Sequence, residues 1–504
     1  STSTFGFFTL ISRILGYVRD ILIAFFLGTS IFADAFFVAF RLPNTFRRLF
    51  AEGTFNAAFI PSYASELSKN KKIADNFAQN VFNLLFVILL FLVLVAEIFM
   101  PQLIFLIAPG FYKDPEKLKL AIDLSRITFP FLFFISLASF FGAILNSYNK
   151  FAAAASAPII LNVILIGSLF FLKFLNISDV LTLSYAVSFA GFLQLIILLF
   201  FVRKNFKPFI SIKIKIDKKI KFFFIKLLPS IFSSGVTQIN ILVGTIIASF
   251  QAGAVSYLYY ADRVYQMNLA IAGIAVSTVM LPELAKQVKK NNFKKIMSLQ
   301  NRSLELCLFL SIPASIALIL ASEEIITSLF GYGSFSSLSV TNTSIALTFF
   351  AIGVPAFSIL KIFSNFFFAR NDTKTPFYLS VISVSLNIII SLSLFDRVGF
   401  VIIPIATSFS SWVNVLVYYY FIKKRNLYIF DSQFIYKLPR MILSVVVMGI
   451  ALYLLLGFFS DKFSYNESWK FIYLFIIVIT SLIVYFLISN FSGAFKFKDI
   501  KLRK

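Results

Sequence analysis

The 504-residue sequence contains no histidine and one cysteine, Cys307, set in an apolar run. The first absence removes the commonest general base and metal ligand, and the second excludes a disulfide framework and a thiolate metal site. Charged residues make up 13% of the chain, against roughly 25% in an ordinary soluble domain. No G-x-x-x-x-G-K-[ST] segment is present, which excludes ATP hydrolysis within this chain. No paired acidic motif suited to metal-diphosphate chemistry stands out either, which argues against a lipid glycosyltransferase or prenyltransferase. A cleavable signal peptide is not expected, because the first apolar segment is long and already carries Arg13, Arg19 and Asp20. The expectation is a protein without catalytic residues, metal, nucleotide or cofactor.

What is present is apolar. Hydrophobic residues make up 59% of the chain, Phe alone fills 68 positions, and the mean hydropathy is +0.89. A spanning helix needs about 20 mostly apolar residues. Segments of that kind run at 5–28, 31–63, 79–108, 119–146, 151–176, 180–202, 222–249, 252–285, 296–330, 340–369, 375–395, 400–422, 438–459 and 469–491. The expected fold is therefore an all-α polytopic membrane protein with fourteen transmembrane helices.

The net charge of +24 invites a nucleic-acid reading, but the placement of the charges opposes it. Lysine and arginine gather in every second connection: Lys69, Lys71 and Lys72; Arg203 to Lys221; Lys286 to Lys295; Lys423 to Arg425; and the tail from Lys496 to Lys504. The intervening connections are nearly bare, with no charge at 331–340. Positive loops stay in the cytoplasm, so the even loops and both termini are expected there. The partner implied is the lipid bilayer and not nucleic acid.

The sequence also repeats itself. Asp34-Ala-Phe-Phe-Val-Ala-Phe-Arg41 opens the second span and Ser256-Tyr-Leu-Tyr-Tyr-Ala-Asp-Arg263 opens the eighth. Ile60-Pro61-Ser62 answers to Leu281-Pro282-Glu283, and Asn146 and Asn162 answer to Asn371 and Asn387, all at offsets of 221–225. The expected organisation is two pseudosymmetric six-helix lobes, 1–202 and 222–423, joined by a basic linker at 203–221. The remaining 424–504 adds a pair of C-terminal helices and a cytoplasmic tail. A parallel repeat of this kind usually surrounds a central pathway.

Charge inside the membrane costs about 2.5–3.5 kcal/mol per residue even on a lenient scale, so each such residue needs a reason. Residues 13–52 hold five arginines (Arg13, Arg19, Arg41, Arg47, Arg48) and three acids (Asp20, Asp34, Glu52). Arg13 lies roughly 12 Å and Arg19 roughly 21 Å along the first span at helical rise. Asp34, Arg41 and Arg48 are seven apart and form one stripe, extended by Asn44 and Glu52, beside a bend expected at Pro43. Two readings stand. In one the charges pair locally, Asp20 with Arg13, Glu52 with Arg48 and Asp262 with Arg263. In the other the arginine excess recognises an anion, because a planar guanidinium grips phosphate oxygens in two places and a cluster suits a diphosphate. Arg126, Arg302, Glu305 and Lys361 are equally compatible with interhelical ties, and Asn162, Asn387 and Gln238 with structural bonds.

Ser12-Arg13-Ile-Leu-Gly16-Tyr-Val-Arg19-Asp20 resembles the opening signature of the MurJ (MviN) lipid II flippases. The stretch from Asp34 to Asn44 and the segment Arg47-Arg48-Leu-Phe-Ala-Glu52-Gly53 continue the likeness. Tyr260-Ala-Asp262-Arg263 and Ala369-Arg370-Asn371-Asp372-Thr373-Lys374-Thr375-Pro376 are similar to the signatures of the second lobe. The resemblance implies the fold of the multidrug/oligosaccharidyl-lipid/polysaccharide exporters and a cavity with alternating access. It implies translocation of lipid II, the undecaprenyl-diphosphate-linked peptidoglycan precursor, in peptidoglycan biosynthesis, with cell-wall synthesis proteins as further partners. Arg13, Arg19, Arg47 and Arg263 match the family's cavity arginines, joined here by Arg41 and Arg48 as substrate-binding candidates. Ser12, Asp20, Asp34, Asn44, Glu52 and Asp262 fall to supporting or gating roles. The last two helices, 438–491, match a groove for the polyprenyl tail. Some members carry an acid in span seven associated with sodium; residues 228–250 contain none. The rival expectations are export of another polyprenyl-diphosphate glycan or a drug, and a membrane enzyme acting on polyprenyl-diphosphates.

Overall fold

The computed structural model describes residues 2–50, 54–175, 179–211 and 218–495, and every regular element among them is helical. Within the described residues the fourteen expected segments fall on helices, most on one or on two in succession and the eighth on two joined by a π-helical turn. Among the described residues ten helices are long and apolar enough to cross a membrane, and one of them, the 51-residue stretch Lys374–Lys424, holds the eleventh and twelfth expected spans. Thr2–Leu27 and Ile31–Phe50, the two helices that carry the arginines, are not among the ten.

The first compact unit extends to Ser256. It contains α1 (Thr2–Leu27), α2 (Ile31–Phe50), α3 (Thr54–Leu67), α4 (Lys71–Ile98), α5 (Met100–Ile107), α6 (Pro115–Thr128), α7 (Phe131–Ser147), α8 (Phe151–Leu175), α9 (Asp179–Val202), α10 (Lys218–Ala248) and the start of α11 (Ala254–Leu269). Helix α1 packs on α8, α9 on α7 and α8, and α2 on α6. Helix α10 packs against α2 and α3 and so belongs to this unit, although the repeat groups it with the second half. Some of the abundant phenylalanine builds the junction of α3, α4, α7 and α10, where Phe59 lies 5.1 Å from Phe140, 5.9 Å from Phe77 and 6.2 Å from Phe223. Such ring pairs add about 0.5–1.5 kcal/mol each beyond area burial.

The second unit begins at Tyr257. It continues through a π-helical turn (Ala270–Ala275), α12 (Val276–Lys289), α13 (Phe293–Leu320), α14 (Ser322–Phe330), α15 (Ser337–Phe368), α16 (Lys374–Val398), α17 (Ile402–Lys424), α18 (Ser432–Phe458) and α19 (Lys470–Ser492). Helix α15 packs between α13 and α17, and α16 on α17. The final pair, α18 and α19, pack on each other and dock on α13 and α14.

The repeat reappears as hydrogen bonding. Gln79 of α4 accepts from the Phe209 N–H at 3.1 Å, and Asn301 of α13 accepts from the Asp431 N–H at 3.0 Å, with 130 residues between the partners in both cases. Each buried amide fastens the segment that follows the unit's sixth or twelfth expected span. Among the described residues four non-glycine residues have positive φ, and these, Asn149, Asn291, Asn371 and Asn426, end α7, α12, α15 and α17. Asparagine tolerates this left-handed cap better than other residues with a Cβ, and all four lie in loops that the charge pattern assigns to one side.

Three of the prolines inside helices, Pro43, Pro313 and Pro355, are compensated in the same way. A proline leaves the carbonyl four residues earlier without its donor, and lipid offers no substitute. Pro43 frees the Ala39 carbonyl, which accepts from Thr128 Oγ1 of α6 at 2.9 Å. Pro355 frees Ala351, which accepts from Ser315 Oγ at 2.7 Å, and Pro313 frees Phe309, which accepts from Tyr485 Oη of α19 at 2.7 Å. Helix α2 therefore runs through Pro43 without interruption to Phe50.

Candidate anion-binding site

The two arginines of α1 have different surroundings. Arg19 and Asp20 are 5% and 2% exposed, and Arg19 donates from Nη2 and Nε to Asp20 Oδ1 at 2.6 and 3.0 Å. Its Nη1 donates to Asn162 Oδ1 of α8 at 3.0 Å, while Asn162 Nδ2 returns a bond to the Ser12 carbonyl at 2.9 Å. The result is a closed network that locks α1 to α8. Arg13 lies six residues earlier, about 120° around the helix, where it is exposed and makes no hydrogen bond or ion pair among the described residues. The expected Asp20–Arg13 pair is therefore replaced by Asp20–Arg19, because burial against α8 gives Arg19 the carboxylate and the amide together.

Along α2 the expected stripe grades from closed to open. Asp34 has no exposed surface and accepts four hydrogen bonds. Lys117 Nζ of α6 approaches Oδ2 at 2.6 Å, the Gly253 N–H reaches Oδ2 at 2.9 Å, and Ser256 gives its N–H at 3.0 Å and its hydroxyl at 2.6 Å to Oδ1. Ser256 is the residue that answers to Asp34 in the repeat. Nearby, the Gly110 N–H donates to Ser249 Oγ at 2.9 Å, and a Cβ on Gly110 would stand 2.3 Å from the Ser249 backbone, so only glycine allows this approach. Two turns beyond Asp34, Arg41 is half-buried and donates to Thr245 Oγ1 of α10. Arg47 donates from Nε to Asn44 Oδ1 at 3.1 Å, Asn44 donates to the Phe40 carbonyl at 2.8 Å, and Arg48 is exposed. Glu52 lies outside the described residues.

In the second unit, Arg263 is half-buried on α11. Its Nη2 donates to Tyr259 Oη at 3.0 Å, and the guanidinium lies 4.9 Å from the Tyr259 ring centre. No ion pair joins it to Asp262, which instead accepts from Gln266 Nε2. Adjacent helical residues point about 100° apart, so the neighbour one turn away is the better partner.

The structure thus brings together Ser12, Arg19 and Asp20, joins Asn44 to Arg47, and places Asp34, Arg41 and Arg263 each with partners the sequence reading did not name. Among these, the spacing gives Asn162 only a structural bond, and it assigns nothing to Lys117. A signal for Lys117 exists: residues 117, 121, 124 and 128 follow helical spacing, and all four are buried. A lysine on an apolar stripe needs a carboxylate, and Asp34 supplies it.

Residues 23–493 match the family described as lipid II flippase MurJ. A probable lipid II flippase MurJ of Rhizobium meliloti is 41% identical over 456 residues, covering 90% of this chain and 85% of the relative. That of Rickettsia prowazekii is 39% identical over 464 residues, covering 92% and 91%. Among solved structures, a lipid II flippase MurJ in an inward closed conformation is 30% identical, with a TM-score of 0.80 over 97% of this chain and 98% of that one. An inward-facing MATE family multidrug transporter of the MOP superfamily shares the fold, at 15% identity and a TM-score of 0.70 over 82% of this chain and 94% of that one.

Proposed function

The chain belongs to the MurJ family of lipid II flippases, and on that premise we propose that it moves lipid II from the cytoplasmic to the periplasmic leaflet by alternating access. The physical task is to carry a diphosphate and its sugars through a layer that cannot solvate them, while the polyprenyl tail remains in lipid. Guanidinium groups replace the lost water by donating charge-assisted hydrogen bonds to phosphate oxygens.

The observation that carries this reading is Arg13, a deep arginine that is exposed and has no partner among the described residues. A cation within the span of a membrane helix and without a counterion is costly, and an anionic substrate supplies one. Arg41, Arg47, Arg48 and Arg263 are assigned the same role of gripping the diphosphate in turn. Arg19, held by Asp20 and Asn162, positions α1 and keeps its charge near the path. The lobes of the mechanism are 1–202 and 222–423, with 424–504 receiving the tail, and both termini lie in the cytoplasm of a bacterial inner membrane.

The test uses purified protein in vesicles carrying labelled lipid II in one leaflet. Flipping predicts that the label becomes accessible on the opposite face with its mass unchanged. A chemically altered lipid would instead indicate an enzyme. Failure to rescue a bacterium depleted of its own flippase, at normal expression, would count against the substrate assignment.

A further inference from the structure

We propose that the first unit carries a second anion site, on its cytoplasmic face, for the phosphodiester headgroup of an anionic phospholipid. The site is a cavity of about 270 Å³ where the start of α4 meets the segment that follows α9. Its volume equals roughly nine water molecules, enough for a phosphate and part of its glycerol. Lys71, Arg203, Lys204 and Lys207 line it together with a single carboxylate, Asp75.

The wall is held in place. Gln79, 7% exposed, accepts from the Phe209 N–H and donates to the Phe209 carbonyl, so its amide pairs with the chain as a neighbouring strand would. Asn83 Oδ1 takes the Ser211 N–H at 3.2 Å, and Lys150 Nζ reaches Asn205 Oδ1 at 2.7 Å. Phe206, 3% exposed, turns inward against Phe140. The segment from Arg203 to Ser211 is thus strapped to α4. The side chains of Arg203, Lys204 and Lys207 are exposed and have no hydrogen-bond or ion-pair partner among the described residues. Mutually repelling cations held this way attract an anion.

The source of that anion follows from the same strap. Phe209 and Ile210 are 62% and 66% exposed immediately beside the cations. Apolar side chains next to a basic cluster suit the boundary between headgroups and acyl chains, where anionic lipid concentrates on the cytoplasmic side. The assignment rests on the topology that places lysine-rich loops in the cytoplasm. It is independent of the lipid II path.

The experiment uses the full chain in phosphatidylcholine nanodiscs containing a photoactivatable phosphatidylglycerol, with labelling of the 203–211 peptide read by mass spectrometry. Unlabelled phosphatidylglycerol should compete, and phosphatidylcholine should not. A basic residue near an anionic surface is worth roughly fivefold in affinity, so R203Q/K204Q/K207Q should weaken labelling at least tenfold. Asp75→Asn should strengthen it several-fold, a gain that misfolding could not produce. The proposal is overturned if phosphatidylcholine competes equally, if the triple variant labels normally, or if Asp75→Asn has no effect. It is also overturned if water-soluble glycerol phosphate displaces the probe as well as the lipid does, which would identify a soluble phosphate as the ligand. Lipid II transport is not read in this assay, so its outcome leaves the flippase assignment untouched.

Discussion

Arg13 and Arg19 occupy one helix and carry the same charge, yet their surroundings predict opposite mutant behaviour. Arg19→Ala removes the ion pair of Asp20, whose side chain is 3% exposed, together with the bond to Asn162. Stranding one member of a buried pair costs about 3–5 kcal/mol, because the remaining charge keeps its desolvation penalty without its partner. Asp20→Asn alone should cost less, since Arg19 retains Asn162. The double variant should recover much of the loss, with a coupling of about 1–3 kcal/mol in a double-mutant cycle. Arg13→Ala, at an exposed position without a partner among the described residues, should change stability by less than about 0.5 kcal/mol. Its loss should appear in lipid II binding, where a charge-assisted hydrogen bond of ~1.5–3 kcal/mol corresponds to roughly ten- to hundredfold in affinity. Arg13→Lys should restore only part of this, because an ammonium cannot form the bidentate grip. Thermal unfolding and lipid II binding, measured on the same purified samples, separate the two roles. Equal destabilisation by Arg13→Ala and Arg19→Ala would refute the reasoning, as would a silent Arg19→Ala.

Three further outcomes follow from other parts of the molecule. Thr128→Val should destabilise the protein by about 1–3 kcal/mol, because the Ala39 carbonyl freed by Pro43 loses its side-chain donor, and Thr128→Ser should be much milder in thermal unfolding. Burial alone would raise the Asp372 carboxyl, but the Thr375 N–H and hydroxyl and the Arg425 guanidinium outweigh it and hold Asp372 below the ordinary value of 3.8. A depressed carboxyl stabilises the fold fully above that value and stops doing so as pH falls through the lower folded one. Unfolding followed below about pH 4 should therefore show an acid-dependent loss that Asp372→Asn reduces. Because residues 228–250 carry no acid, a sodium titration in proteoliposomes at fixed membrane potential should leave flipping nearly unchanged; a steep rise would overturn this.

Much of the architecture was legible because membrane helices advertise themselves through length, apolarity and the lysines of alternate loops. The repeat was legible too, and Gln79 with Phe209 against Asn301 with Asp431 shows it continuing into side-chain chemistry that no spacing rule had flagged. What the sequence left open was the role of each charge. Arg19 is a lock because Asn162, 143 residues away, completes its network, and Asp34 is one because Lys117, 83 residues away, meets it. Neither distance carries a local signature. Composition alone had left an excess of arginine over acid in the first two spans, and the structure shows that this excess is unevenly shared. Asp20 is consumed where α1 meets α8 and Asp34 where α2 meets α6, while Arg13 is left without a hydrogen-bond or ion-pair partner among the described residues. That division suits the proposed passage for an anion: a counterion spent on holding helices together is unavailable to neutralise Arg13.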